Sequence, residues 1–139
     1  MYFPVDRFVI AMVIGVALSL FIRFIFDHLP MIARQREFLG ALPSVRNPSP
    51  LNIIAREAVF SAEIIVAVAA FGLIHWALPF PGTGNGFIYA FAIIILRIVP
   101  NAADRLFRTH YPYILVVLDA SRDTIAFIAV GLCCGLAFL

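Results

Sequence analysis

Ionisable side chains in this sequence return at matching points of its long apolar stretches, and their spacing is helical. Arg23 and Asp27, Arg97 and Asn101, and Asp119 and Asp123 are each four residues apart, and Asn101 and Asp104 are three apart, so each pair shares a helix face. With Glu57, Glu63 and Arg122 they fall in the same half of the apolar stretches and form one polar layer. An isolated charge at that depth costs roughly 3 kcal/mol or more, so these groups are expected to face the protein interior and pair. Glu63 and Arg97 lie deepest and are expected to pair with each other. Three kinds of chemistry are open to such a layer. It can fix helix register through ion pairs, form a pocket for a lipid head group, phosphate, ion or proton, or present a charged contact surface to a partner subunit.

Other residue types offer less. His75 beside Trp76 has the character of an axial ligand to haem or a chlorophyll-type pigment, but the same pair suits an aromatic belt at a membrane surface. A haem held by two histidines would need a second at that depth, and His28 and His110 belong to the opposite side. Cys133 and Cys134 are neighbours on one predicted helix and cannot build a disulfide framework. No zinc-ligand spacing, phosphate loop, nucleophile elbow or catalytic triad order occurs. Nucleic acid binding has no support, because the ten basic residues are all arginines spread over loops and helix ends rather than gathered in a tract.

The elements that must hold this layer follow from hydropathy. Apolar residues make up 63% of the chain, charged residues only 13%, and the mean hydropathy is +1.03. That exceeds what a soluble domain can bury, so lipid must solvate much of the surface. The reading is an all-α polytopic integral membrane protein, a single domain over residues 1–139, with four transmembrane helices in a bundle. Its spans are expected at about 8–28, 58–78, 87–105 and 112–139. The run from Phe8 contains Arg23 and lacks a positive leader or a small-residue cleavage site, so it reads as a retained span.

Punctuation divides the spans. Asp27-His28-Leu29-Pro30 closes the first, and Met31 to Ala41 has the pattern of a short surface helix before a connection containing Pro43, Pro48 and Pro50. The run from Pro79 to Gly86 reads as a tight hairpin. The third apolar stretch ends at Val99, too short for a core of ~30 Å, so it is expected to continue through a kink at Pro100 to about Arg105. Pro112 suits the first turn of the last helix.

Arginine placement sets the expected orientation. Arg34, Arg36, Arg46 and Arg56 lie between spans one and two, Arg105 and Arg108 between three and four, and the hairpin between two and three has none. Arginine-rich loops stay cytoplasmic, so both termini are expected on the non-cytoplasmic side of a prokaryotic inner or cytoplasmic membrane, with Arg7 the one charge opposing this. Small residues recur every four positions at Ala11, Gly15 and Ser19, and Gly131 and Gly135 form G-x-x-x-G. Both faces permit close helix approach, inside the chain or at a seam between chains.

The segment from Glu57 to Glu63, followed by Asn101 and by Arg122-Asp123 before a final apolar helix, resembles the order and spacing of polar residues in the bacterial diacylglycerol kinase family, small three-helix lipid kinases. The resemblance covers spans two to four. It implies a metal ligand at Glu57 and active-site roles for Asn101 and Asp123. Two positions depart from the family: Arg105 stands where it keeps an essential glutamate, and Ile98 where it has another acidic residue. With no catalytic motif and fourteen phenylalanines, the chain is read first as a small non-catalytic transmembrane subunit or assembly scaffold of a larger membrane complex. A lipid-head-group enzyme is the alternative, and a small oligomeric transporter or channel the third. Membrane lipids, one of them bound, and other transmembrane subunits or further copies of the chain are the expected partners.

Overall fold

The computed structural model describes residues 4–40 and 50–139, and all the regular structure among them is helical. Helix α1 spans Val5–His28 and α2 spans Pro30–Gly40. Between them Leu29 is extended at φ −62°, ψ 131°. A residue before proline is pushed out of helical geometry, while proline itself fits a first helical turn, so Leu29-Pro30 both ends α1 and starts α2. Ile32 of α2 is buried whereas Met31 and Phe38 are exposed, so one side of this short helix packs back on the protein. Ser44, Pro43, Arg46 and Pro48 of the connection lie outside the described residues.

Helix α3 runs Pro50–Ile74 and ends in a 3-10 turn, His75–Ala77. It therefore starts eight residues before the expected Ala58, and Arg56 is helical rather than part of the connection. Pro50 again occupies a first turn, where its missing N–H costs nothing.

The following turn is shorter than the hairpin read from Pro79 to Gly86, because α4 begins at Thr83. Gly82 turns the chain at φ +59°, the region glycine enters freely. Asn85, almost fully buried, staples this turn: its Oδ1 accepts from the Phe80 N–H at 2.8 Å and its Nδ2 donates to the His75 carbonyl at 3.2 Å.

Helix α4 (Thr83–Ile93) passes through a π-helical turn, Ile94–Ile98, into α5 (Val99–Arg108). Pro100 has no N–H to donate, and its ring crowds the carbonyl four residues earlier. The chain answers by widening the preceding turn, so the irregularity sits just before the proline expected to kink the span. Helix α6 spans Tyr113–Ala137, with Pro112 just outside it at ψ 128°.

Three of these helical segments, Val5–His28, Pro50–Ala77 and Thr83–Arg108, are long and apolar enough to cross a membrane. At 24, 28 and 26 residues they exceed the ~20 needed for the hydrocarbon core. Helix α6 is packed between α1 and α4, with Ala126, Phe127, Val130 and Cys134 buried. Helix α3 closes against α1 and contributes Phe60, Ile64, Val68 and Phe71 to the same core. Outward-facing Val13, Phe21, Val66, Phe91 and Leu96 remain exposed, an arrangement that only an apolar solvent rewards.

Both small-residue faces are used within the chain. Ala11, Gly15 and Ser19 are buried on α1, and a Cβ at Gly15 would meet Val130 and Ile64 at 3.7 and 3.9 Å, ordinary contact distances. Gly131 and Gly135 face α4 far more tightly. A Cβ on Gly86 would lie 2.0 Å from the Gly131 carbonyl oxygen, and one on Gly135 would lie 2.6 Å from that of Gly82. The two backbones touch here, which leaves the G-x-x-x-G face no room to serve as a seam to a second chain.

Candidate functional site

Near one end of the helices the charged side chains gather into a connected network. Arg23 of α1 is enclosed, its side chain 3% exposed. Its Nε and Nη2 donate to the two Glu57 oxygens at 2.9 and 3.0 Å, and its Nη1 donates to Asp123. The guanidinium also lies 3.8 Å over the Phe60 ring. Arg122 of α6, equally enclosed, donates Nη1 to both Asp27 oxygens at 3.2 Å and Nε to Asp123 at 3.2 Å. Buried charges are tolerated only when paired and hydrogen-bonded, and both arginines meet that condition.

Further arginines close the network from its rim. Arg36 of α2 donates to Asp119 at 2.6 Å and lies 3.1 Å from Asp27. Arg56 donates Nε to Glu57 at 3.0 Å, and Arg105 reaches Asp119 at 3.4 Å. Sequence reading assigned these three to loops and helix ends. Arg36 enters because α2 folds back, which no local pattern encodes. Arg56 was within reach, since Pro50 as a first-turn proline places it in a helix.

Glu63 and Arg97 form a separate pair deeper along the helices, Arg97 Nη2 donating to a Glu63 oxygen. The Arg97 guanidinium stands 5.5 Å from the Phe127 ring centroid, and its enclosed Nη1 has no hydrogen-bond partner among the described residues. Asn101 and Asp104 are not drawn into the network. Asn101 is exposed beside it, and Asp104 faces outward with Arg108 at 3.0 Å. The π turn widens the helix just before them, yet Arg97, Asn101 and Arg105 still border one cavity, so Asn101 keeps the face of Arg97 while Asp104 turns outward.

A cavity of about 510 Å³ borders the network between α3, α5 and α6. Tyr111, in the connection before α6, lines its rim, and partial burial together with the Asp119 charge pushes the phenol above its ordinary pKa. It stays a neutral hydroxyl at physiological pH.

His75 lies at the other end of the helices, with Phe71 and Phe138 rings at 6.2 and 5.1 Å. Its Nδ1 donates to the Gly72 carbonyl at 2.9 Å, and the exposed Trp76 donates to the Leu73 carbonyl at 2.8 Å. His28 stacks on Phe24 and does not approach it, so the ring is supported by aromatic packing rather than paired with another histidine.

These features define a helical membrane protein with an arginine–carboxylate network at one end. No protein-family model, curated protein or solved structure matches the chain. The likeness to diacylglycerol kinases thus rests on the residues alone, and Glu57 fits its implied role poorly. Both carboxylate oxygens are engaged by Arg23 and Arg56, two guanidiniums that would repel a divalent cation.

Proposed function

We propose that this protein is a four-span helical bundle acting as a non-catalytic subunit or scaffold of a larger membrane assembly, with α6 as the fourth span. What supports the reading is that each of six carboxylates, Asp27, Glu57, Glu63, Asp104, Asp119 and Asp123, is ion-paired to an arginine. A general base or metal ligand needs a carboxylate free to receive a proton or a cation, and here each is already neutralised. The network is then a clasp that sets the relative depth of the helices. Orientation follows the arginines, with the network toward the cytoplasm of a prokaryotic inner membrane and both termini opposite. Arg7 fits this arrangement because it donates to the Leu139 carbonyl, joining the start of α1 to the end of α6. The exposed apolar faces, rather than the occupied small-residue faces, are the surface left for lipid and partners.

The test is native mass spectrometry on protein extracted from its own membrane in mild detergent. A particle carrying other chains or further copies is the expected result. A lone particle of 15.4 kDa would defeat the subunit reading.

A lipid-head-group enzyme is the second reading, favoured by the cavity that Asn101 and Asp123 line. It requires that purified protein transfer phosphate from a nucleotide to a lipid hydroxyl and that Asp123→Asn abolish the transfer. Against it stand the paired state of Asp123 and the arginine at position 105.

A further inference from the structure

The cavity between α3, α5 and α6 is lined by more arginines than carboxylates. Five arginines line it, Arg23, Arg56, Arg97, Arg105 and Arg122, against three carboxylates, Glu63, Asp119 and Asp123. Each of these carboxylates already accepts from an arginine, and Glu57 and Asp27, which do not line the cavity, take up Arg23, Arg56 and Arg122; counting these two and Arg36, six arginines meet five carboxylates, a formal excess of one positive charge. Arg97 adds an enclosed donor, Nη1, with no partner among the described residues. Leaving a buried donor unmade is unfavourable, and a bound acceptor oxygen would satisfy it.

We propose that this cavity binds a phosphate-bearing anion, either the head group of an anionic lipid or free phosphate. Guanidinium groups are suited to phosphate because their paired N–H groups match two of its oxygens. The volume of about 510 Å³ falls within the ~300–1,000 Å³ typical of small-molecule sites. The wall is not polar throughout: Val59, Phe60, Ile98 and Val116 supply apolar surface beside the arginines, as an amphipathic ligand requires. The two flanking helices also leave a cleft. Alongside the cavity, α3 meets the third span through long side chains, the Tyr89 hydroxyl donating to the Ala67 carbonyl at 2.7 Å and Arg97 donating to Glu63. A basic pocket between membrane-spanning helices, near their ends, is where anionic lipid head groups bind. The proposal does not depend on whether the chain joins a larger assembly, because the site is built within one chain.

The experiment uses the full chain, purified in mild detergent, and native mass spectrometry with three probes: a short-chain phosphatidic acid, a phosphatidylcholine of the same chain length, and inorganic phosphate. The expected result is one saturable phosphatidic acid adduct about tenfold or more tighter than phosphatidylcholine, as loss of a charge-assisted hydrogen bond predicts. Arg56→Gln, at a half-exposed rim position, should weaken it by a similar factor. Arg97→Gln should do the same. Because that change strands Glu63, the paired variant Glu63→Gln/Arg97→Gln is carried alongside to preserve folding. Inorganic phosphate that binds alone or displaces the lipid would identify free phosphate as the ligand chemistry's source, and failure to compete would identify the membrane. Neither phosphatidic acid nor phosphate binding better than phosphatidylcholine would overturn the proposal. So would unchanged affinity in folded Arg56→Gln and Glu63→Gln/Arg97→Gln proteins.

Discussion

The Arg23 guanidinium meets the Glu57 carboxylate fork to fork, Nε at 2.9 Å from one oxygen and Nη2 at 3.0 Å from the other. This joins the first long helix to the second across 34 residues of sequence. It also accounts for two of the three nitrogens on an arginine that has almost no access to solvent.

Arg23→Gln should therefore be among the most damaging single changes in the protein. It leaves Glu57 and Asp123 without their shared partner, and breaking an enclosed pair from one side costs roughly 3–5 kcal/mol. Unfolding followed by circular dichroism in detergent, with added denaturing detergent, measures this. A midpoint equal to wild type would show that the network does not hold the helices together.

Glu63 and Arg97 test the same logic in a more open setting, each side chain about one third exposed. Glu63→Gln and Arg97→Gln should each lower the thermal midpoint, and the double variant should recover part of the loss because no lone charge remains. Strict additivity of the two single losses would mean that the pair makes no coupled contribution.

The α4–α6 contact separates two glycines that look alike in sequence. Gly86→Ala forces its new methyl into the Gly131 carbonyl and should destabilise by about 1–3 kcal/mol, since backbone must move. Gly15→Ala finds ordinary contact distances and gains helix propensity, so its stability should stay within about 1 kcal/mol of wild type or rise. Comparable losses for both would contradict the close approach of α4 and α6.

Topology is open to labelling in intact cells. A cysteine at Thr83, in the arginine-free turn, should react with an impermeant maleimide added outside, whereas one at Ser44 should react only after the membrane is opened. Cys133 and Cys134 would be replaced by alanine for the test. The reverse pattern would invert the proposed orientation, though not the helical arrangement.

Membrane character and helix content are properties of composition and local order, and the sequence determined both by itself. Long apolar runs must satisfy their own backbone in lipid, which only helices and closed barrels do, and period and length select helices here. The gathering of charge was legible in the same way: spacing of three and four along a helix says which residues share a face, and depth along each apolar run says which can meet. Partner choice was not. Whether Arg23 takes Glu57 or its own i+4 neighbour Asp27 depends on how α1 is rotated against α3, which packing of Ala11, Gly15 and Ser19 decides. The structure likewise brought Arg36 in by folding α2 back, and it turned Asp104 outward to Arg108 while Asn101 stayed at the cavity beside the network. Local spacing says which residues share a face, not which partners they meet. Only the tertiary contacts set which of them pair.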